Sequence, residues 1–143
     1  MSAVLNRNIC FIGGGNMAQA LIGGLISRGL PSTRITVSDP VEQVRHLLAE
    51  KDLVVTENNA SAIREADVVV LAVKPQVLAH VLKPLNGLFD GKLIISIVAG
   101  AEIATIAALA GSNRIVRVMP NTPALVQTGA HGLYATEAVD KED

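Results

Sequence analysis

The stretch Ile9-Cys10-Phe11-Ile12-Gly13-Gly14-Gly15-Asn16-Met17-Ala18 carries four apolar residues into three glycines and then into a helical pattern. The apolar run reads as a buried strand, and Gly13 permits the tight turn out of it. Gly15 lets a ligand approach the backbone with no side chain in the way, and Ala18 lets the following helix lie close to the sheet. The helix then presents unpaired N–H groups and a partial positive charge to whatever sits at its start. A G-x-G-x-x-A turn in this context is the pyrophosphate cradle of a dinucleotide fold. A plain glycine turn is the alternative, and the strand before and helix after weigh against it.

The rest of the chain repeats the alternation. Asn16 to Arg28 has helical spacing at Met17, Leu21, Leu25 and Arg28, and Gly29 and Pro31 stop it. Ile35 to Ser38, Leu53 to Val55, Val68 to Ala72, Leu93 to Ile97 and Ile115 to Met119 read as further strands. Helices are expected over 41–50, 58–64, 76–82 and 102–109 between them. Short connections between alternating strands and helices imply right-handed crossovers. The fold class is therefore α/β, a Rossmann-type doubly wound, mainly parallel sheet with helices on both faces, and residues 1–143 read as one NAD(P)-binding domain.

Composition agrees. The chain has 143 residues and is half hydrophobic, with no Trp, one Tyr and two Phe, so Ala, Val, Ile and Leu must build the core. Such residues suit strands hidden on both faces. A net charge of −1 provides no basic field for nucleic acid and no polybasic membrane patch. No apolar run approaches the roughly 20 residues that span a bilayer, and the first seven residues do not make a signal peptide. A single cysteine, Cys10, fits a reducing compartment, and a cytoplasmic protein is expected.

Several polar residues fall at the carboxyl ends of these strands, where open α/β sheets bind ligands. Asp39 stands 21 residues beyond Ala18, at the position of the acid that contacts the adenosine ribose. A carboxylate there suits NAD and repels the 2′-phosphate of NADP. It can equally cap the helix after Pro40. Arg45 is near enough to meet a 2′-phosphate, so NADP stays open. Lys74 follows a buried strand and precedes Pro75; it is either a ligand contact or a solvated loop lysine. Asn121, between Pro120 and Pro123, is held in a stiff turn. Gly100 ends the fifth strand. Cys10 reads as a core residue. His46, His80 and His131 lack metal spacing and read as surface residues, and Glu42, Arg45 and Glu50 as one solvated helix face.

Four motifs, Phe11 to Met17, Ala72-Val73-Lys74-Pro75, Ser96-Ile97-Val98-Ala99-Gly100 and Arg117 to Leu125, occur in an order and spacing that resemble pyrroline-5-carboxylate reductase. The Met119-Pro120-Asn121-Thr122-Pro123 run is the most specific of them. The resemblance implies NAD(P)H-dependent reduction of 1-pyrroline-5-carboxylate to L-proline, the last step of proline biosynthesis. It implies Ile12, Gly13, Gly14, Gly15, Asn16 and Met17 along the pyrophosphate, and Ser38, Asp39 and Asn59 at the adenosine ribose. Val73, Lys74 and Pro75 would flank the cofactor, with Ala99 by the nicotinamide ribose and Asn121 beside the nicotinamide. Members that favour NADPH often carry a small hydroxyl residue in place of Asp39. The family also has a helical domain after this one, which forms the homo-oligomer and much of the substrate pocket and is not among these 143 residues.

Two other readings stay open: another two-domain dehydrogenase of the β-hydroxyacid or prephenate type, and a non-catalytic dinucleotide-binding module. Every recognisable site residue belongs to the cofactor, no catalytic acid is identified, and Arg114 and Arg117 read as strand-flanking residues. These residues alone are therefore expected to bind cofactor without appreciable turnover. Ala124-Leu125-Val126 and Leu133-Tyr134 are candidates for an exposed apolar patch or a seventh strand.

Overall fold

Strand β1 (Ile9–Ile12) is an interior strand of a seven-stranded sheet, third in spatial order, and is buried at all four positions. The structure is a computed structural model and describes residues 7–119 and 132–135. Outward from β1 on one side lie β2 (Ile35–Ser38) and β3 (Val54–Thr56). On the other side lie β4 (Val68–Leu71), β5 (Leu93–Ser96), β6 (Ile115–Met119) and β7 (Gly132–Ala135). The order is β3-β2-β1-β4-β5-β6-β7. The first six strands are parallel, with Ile12 level with both Ser38 and Leu71. The last pair is antiparallel, with Val118 opposite Leu133.

The chain moves from β1 to one edge and returns to β4 on the other side of β1. The carboxyl end of β1 is thus the point where the winding reverses, and a crevice opens there. Helices α1 (Asn16–Ser27) and α2 (Glu42–Ala49) cover one face. Their buried Ala18, Ile22 and Leu48 join Phe11, Ile35, Val37, Val70 and Leu93 in one core. Helices α3 (Asn59–Arg64), α4 (Leu78–Leu82) and α5 (Ile103–Ala110) cover the other. There Ile63, Leu82 and Ile106 pack on Cys10, Ile12, Val69, Leu71 and Ile94. Alternate residues of one strand feed opposite cores, as a two-sided parallel sheet requires.

The elements follow the sequence reading closely, with two differences. The third strand is shifted by one residue, to Val54–Thr56. The stretch expected as a helix over 76–82 begins as a 3-10 turn, Pro75–Val77, before α4; proline fits the first turn but cannot donate to it. Leu133 and Tyr134 lie within β7, so the seventh-strand reading holds for them. Ala124-Leu125-Val126 lie outside the described residues, as do Asn121 and His131.

Cys10 is fully buried in β1, and burial pushes its thiol up to about 12, with Lys92 pulling weakly the other way. The unfolded chain therefore ionises first. Stability contributed by keeping this thiol neutral is intact below the ordinary thiol value of about 8.5 and is lost as pH rises toward 12. The folded protein should resist a thiol-labelling reagent at pH 8, whereas the urea-unfolded chain reacts. Equal labelling rates in the two states would show that β1 is not a closed core strand.

Candidate functional site at the carboxyl edge of the sheet

The glycine loop owes each residue to a different cause. Gly13 has φ +104°, and a Cβ there would stand 2.7 Å from the Ala72 carbonyl oxygen. Its N–H donates to the Ser38 carbonyl (2.8 Å), which ties the turn to β2, and the Ala72 N–H donates to the Ile12 carbonyl (2.9 Å), which ties it to β4. Gly14 is buried under α2. A Cβ there would come within 2.9 to 3.1 Å of Leu48, Val37 and Val44 side chains. The resemblance gave this glycine only as one residue along the pyrophosphate; packing against α2 is a separate reason for it to be glycine.

Gly15 differs from both. Its φ of −75° is open to any residue, and a Cβ would meet nothing within 4 Å. No contact within the protein calls for glycine here. The open space lies at the start of α1, where no side chain caps the helix and the first turn has no acid. The N–H groups of Asn16, Met17 and Ala18 precede the first bond of the helix ladder, Gln19 N–H to the Gly15 carbonyl (2.9 Å). Gln19 Nε2 donates to the Gly14 carbonyl (2.9 Å), giving that oxygen a partner within the protein. An exposed, uncapped helix start with no side chain over it suits an anion.

Asp39 is almost fully buried. Its Oδ2 accepts the Gly14 N–H (2.8 Å) and its Oδ1 accepts the Val41 N–H (2.8 Å). The capping role read from the sequence is thus present, and the bond to the loop adds a second that the sequence did not signal. The Asp39 N–H donates to the Thr56 carbonyl (3.0 Å), and its own carbonyl accepts from Arg45 Nη1 (2.8 Å). Arg45 is therefore drawn inward and does not share a solvated face with Glu42 and Glu50. The latter stands 3.7 Å from His46 instead.

The remaining sequence-derived residues gather along the same edge. Ser38 is buried, and its hydroxyl donates to the Asn59 side-chain oxygen, joining two residues that the sequence reading had assigned to one end of the ligand. Asn59 opens α3, which Asn58 caps by accepting the Ser61 N–H (3.0 Å). Val73, Lys74 and Pro75 follow β4, with Lys74 and Pro75 exposed; Ala99 is exposed after β5. Arg117 lies inside β6 beside Ser96, not flanking it, and buries its Nε without a partner among the described residues. Among the described residues no His, Cys, Asp and Glu group could hold a metal ion. None of the described helices is long and apolar enough to cross a membrane.

Strand order and glycine loop together define a dinucleotide-binding oxidoreductase domain. The family model for NADP oxidoreductase, coenzyme F420-dependent, matches residues 8–100, and the chain belongs to that family. It is 52% identical over 132 residues to the pyrroline-5-carboxylate reductase of Haemophilus influenzae, covering 91% of this chain and 49% of the relative. The solved pyrroline-5-carboxylate reductase of Coxiella burnetii superposes with a TM-score of 0.88 at 41% identity, over 95% of this chain and 52% of that one. The pyrroline carboxylate reductase of Plasmodium falciparum, solved with NADP bound, gives 0.83 at 30%, over 96% and 51%. The resemblance read from the four motifs is therefore borne out. The chain spans about half the length of the curated relatives it matches.

Asp39→Ala should strand the buried Gly14 N–H and the Val41 N–H together. We expect a loss of about 2–4 kcal/mol, combining an unsatisfied buried donor with a lost turn bond. Urea denaturation measures the loss, and faster amide exchange at Gly14 than at β1 locates it. A variant with unchanged stability and unchanged Gly14 exchange would show that the carboxylate does not hold the loop.

Proposed function

We propose that this chain is the cofactor-binding part of a pyrroline-5-carboxylate reductase, holding NADP(H) or NAD(H) across the carboxyl edge of its sheet. The observation that carries the reading is Gly15: an ordinary backbone conformation with open space where a side chain would be. Glycine at such a position is explained by a ligand that must touch the backbone, and the uncapped start of α1 supplies the N–H groups for its pyrophosphate. When bound, the reduced nicotinamide supplies a hydride for the carbon–nitrogen double bond of the imine substrate.

The protein's share is placement. Gly13 and Gly14 fix the loop, α1 directs N–H groups at the phosphates, and Ser38, Asp39 and Asn59 stand at the end expected for adenosine. Val73, Lys74, Pro75 and Ala99 stand on the β4–β5 side, toward which the nicotinamide half would extend, and Asn121 is proposed beside it. Substrate binding and assembly into an oligomer are proposed to rest on a further helical domain of the complete enzyme.

Gly15→Val should reduce NADP(H) and NAD(H) affinity by at least about tenfold in calorimetric titration, equivalent to 1.4 kcal/mol. Its thermal unfolding should remain close to that of the parent, whereas Gly13→Ala should lower stability by about 1–3 kcal/mol or more, from the positive φ and the clash with the Ala72 carbonyl. A folded Gly15→Val chain that binds as well as the parent would remove the reading's main support.

Positional restraint of donor and acceptor is worth several kcal/mol, on the order of 7–11 for ideal cases, and one wall of a pocket does not supply it. Steady-state rates on 1-pyrroline-5-carboxylate at saturating cofactor should therefore be negligible for these 143 residues beside a complete reductase. Turnover within about tenfold of the complete enzyme would mean that the catalytic groups are already here.

A further inference from the structure

We infer that Arg117 is the seat of a carboxylate, at the end of the crevice opposite the adenosine. Carboxylate binding there goes beyond the cofactor reading and is testable without cofactor.

Strand register places the residue. Ser38, Ile12, Leu71, Ser96 and Arg117 stand level with one another on β2, β1, β4, β5 and β6. Arg117 therefore lies four strand spacings from Ser38, about 19 Å, and three from β1, about 14 Å. Alternation along β6 turns its side chain to the same face as Ile115, the face covered by α3, α4 and α5.

No bond among the described residues explains this cation. Arg117 is only partly exposed, and its Nε is buried without a hydrogen-bond partner. Ser96, level with it, is fully buried, and its Oγ accepts the Val98 N–H instead (3.2 Å). Glu102, at the entry to α5, is exposed, and among the described residues no ion pair joins it to Arg117. A buried donor left unpaired destabilises the fold, and an apolar side chain of similar length would fill the same space without that defect. An arginine is thus kept where the described protein makes no use of its charge.

Among its nitrogens only Nε is buried without a partner, which leaves the paired Nη groups as the end open to a ligand. Two N–H groups side by side in a planar fork match the two oxygens of a carboxylate. A phosphate has the same fit, but the phosphates of a dinucleotide belong at the start of α1, three strands away. The imine substrate of the proposed reaction carries a carboxylate, and so does an acidic side chain packed over this edge. The chemistry recognised is the same for both.

The test is nitrogen-15 NMR of the arginine Nε–H signals in the full chain, with the Arg117 signal assigned by its loss in Arg117→Met. Acetate at constant ionic strength should shift that signal at about tenfold lower concentration than it shifts those of the exposed Arg28 and Arg64. Acetamide should shift none of them. Arg117→Met should unfold at the same urea concentration as the parent or higher, because no internal bond is removed, and acetate should stabilise the parent alone. Arg117→Lys should keep the charge and lose most of the acetate preference, since a point charge lacks the fork. Titration with L-proline, with and without NADP⁺, separates the two sources. A gain of about tenfold over acetate that requires NADP⁺ assigns the site to the small molecule, and equal affinities assign it to an acidic side chain. Acetate shifts at Arg117 no stronger than at Arg28 and Arg64 would overturn the inference. So would a clear loss of stability in Arg117→Met, which would make the guanidinium a brace within β6. A chain that binds acetate at Arg117 but neither dinucleotide would overturn the cofactor reading and leave the carboxylate site standing.

Discussion

The bond from the Gly14 N–H to the buried Asp39 carboxylate is the contact around which the carboxyl edge is arranged. It joins the glycine loop after β1 to the end of β2, and the same carboxylate reaches Val41 at the entry to α2. The Asp39 main chain extends the tie to Thr56 on one side and Arg45 on the other. Three strands and a helix thus meet on one residue. Such a contact resists loss because the donor left behind would be buried without water to replace its partner.

The loop can serve a ligand because its own demands are met elsewhere. Gly13 takes the strained turn, and Gly14 takes the crowding from α2 and gives its N–H to Asp39. Gly15 is left with neither burden, at the start of a helix with no capping side chain. The division of labour separates the residues that build the loop from the one that faces the crevice. The acid is turned inward onto N–H groups, and Arg45 is folded back onto the Asp39 carbonyl. Position along a strand says which charged residues reach the edge. Which of them faces the ligand depends on which acceptors and donors the neighbouring backbone offers.

The sequence by itself determined the fold and the edge on which the site lies. Aliphatic runs of strand length, broken at regular intervals by helical patterns, admit few arrangements other than a parallel sheet with helices on both faces. Motifs that end such runs must then collect at the carboxyl edge. The family resemblance implied Ser38 and Asn59 together, and the structure joins them by a hydrogen bond. Tertiary structure alone decided the roles within that edge. The packing role of Gly14 was not legible because the residues that crowd it, Val37, Val44 and Leu48, belong to elements distant in sequence. Asp39 read as a ribose acid or a cap because its second partner lies 25 residues away in the glycine loop. Arg45 read as part of a solvated face because helical spacing records which residues share a side, not which main-chain oxygen a long side chain can reach. Periodicity is a local property and survives in the sequence; pairing of donors and acceptors across the sheet exists only once the strands are side by side.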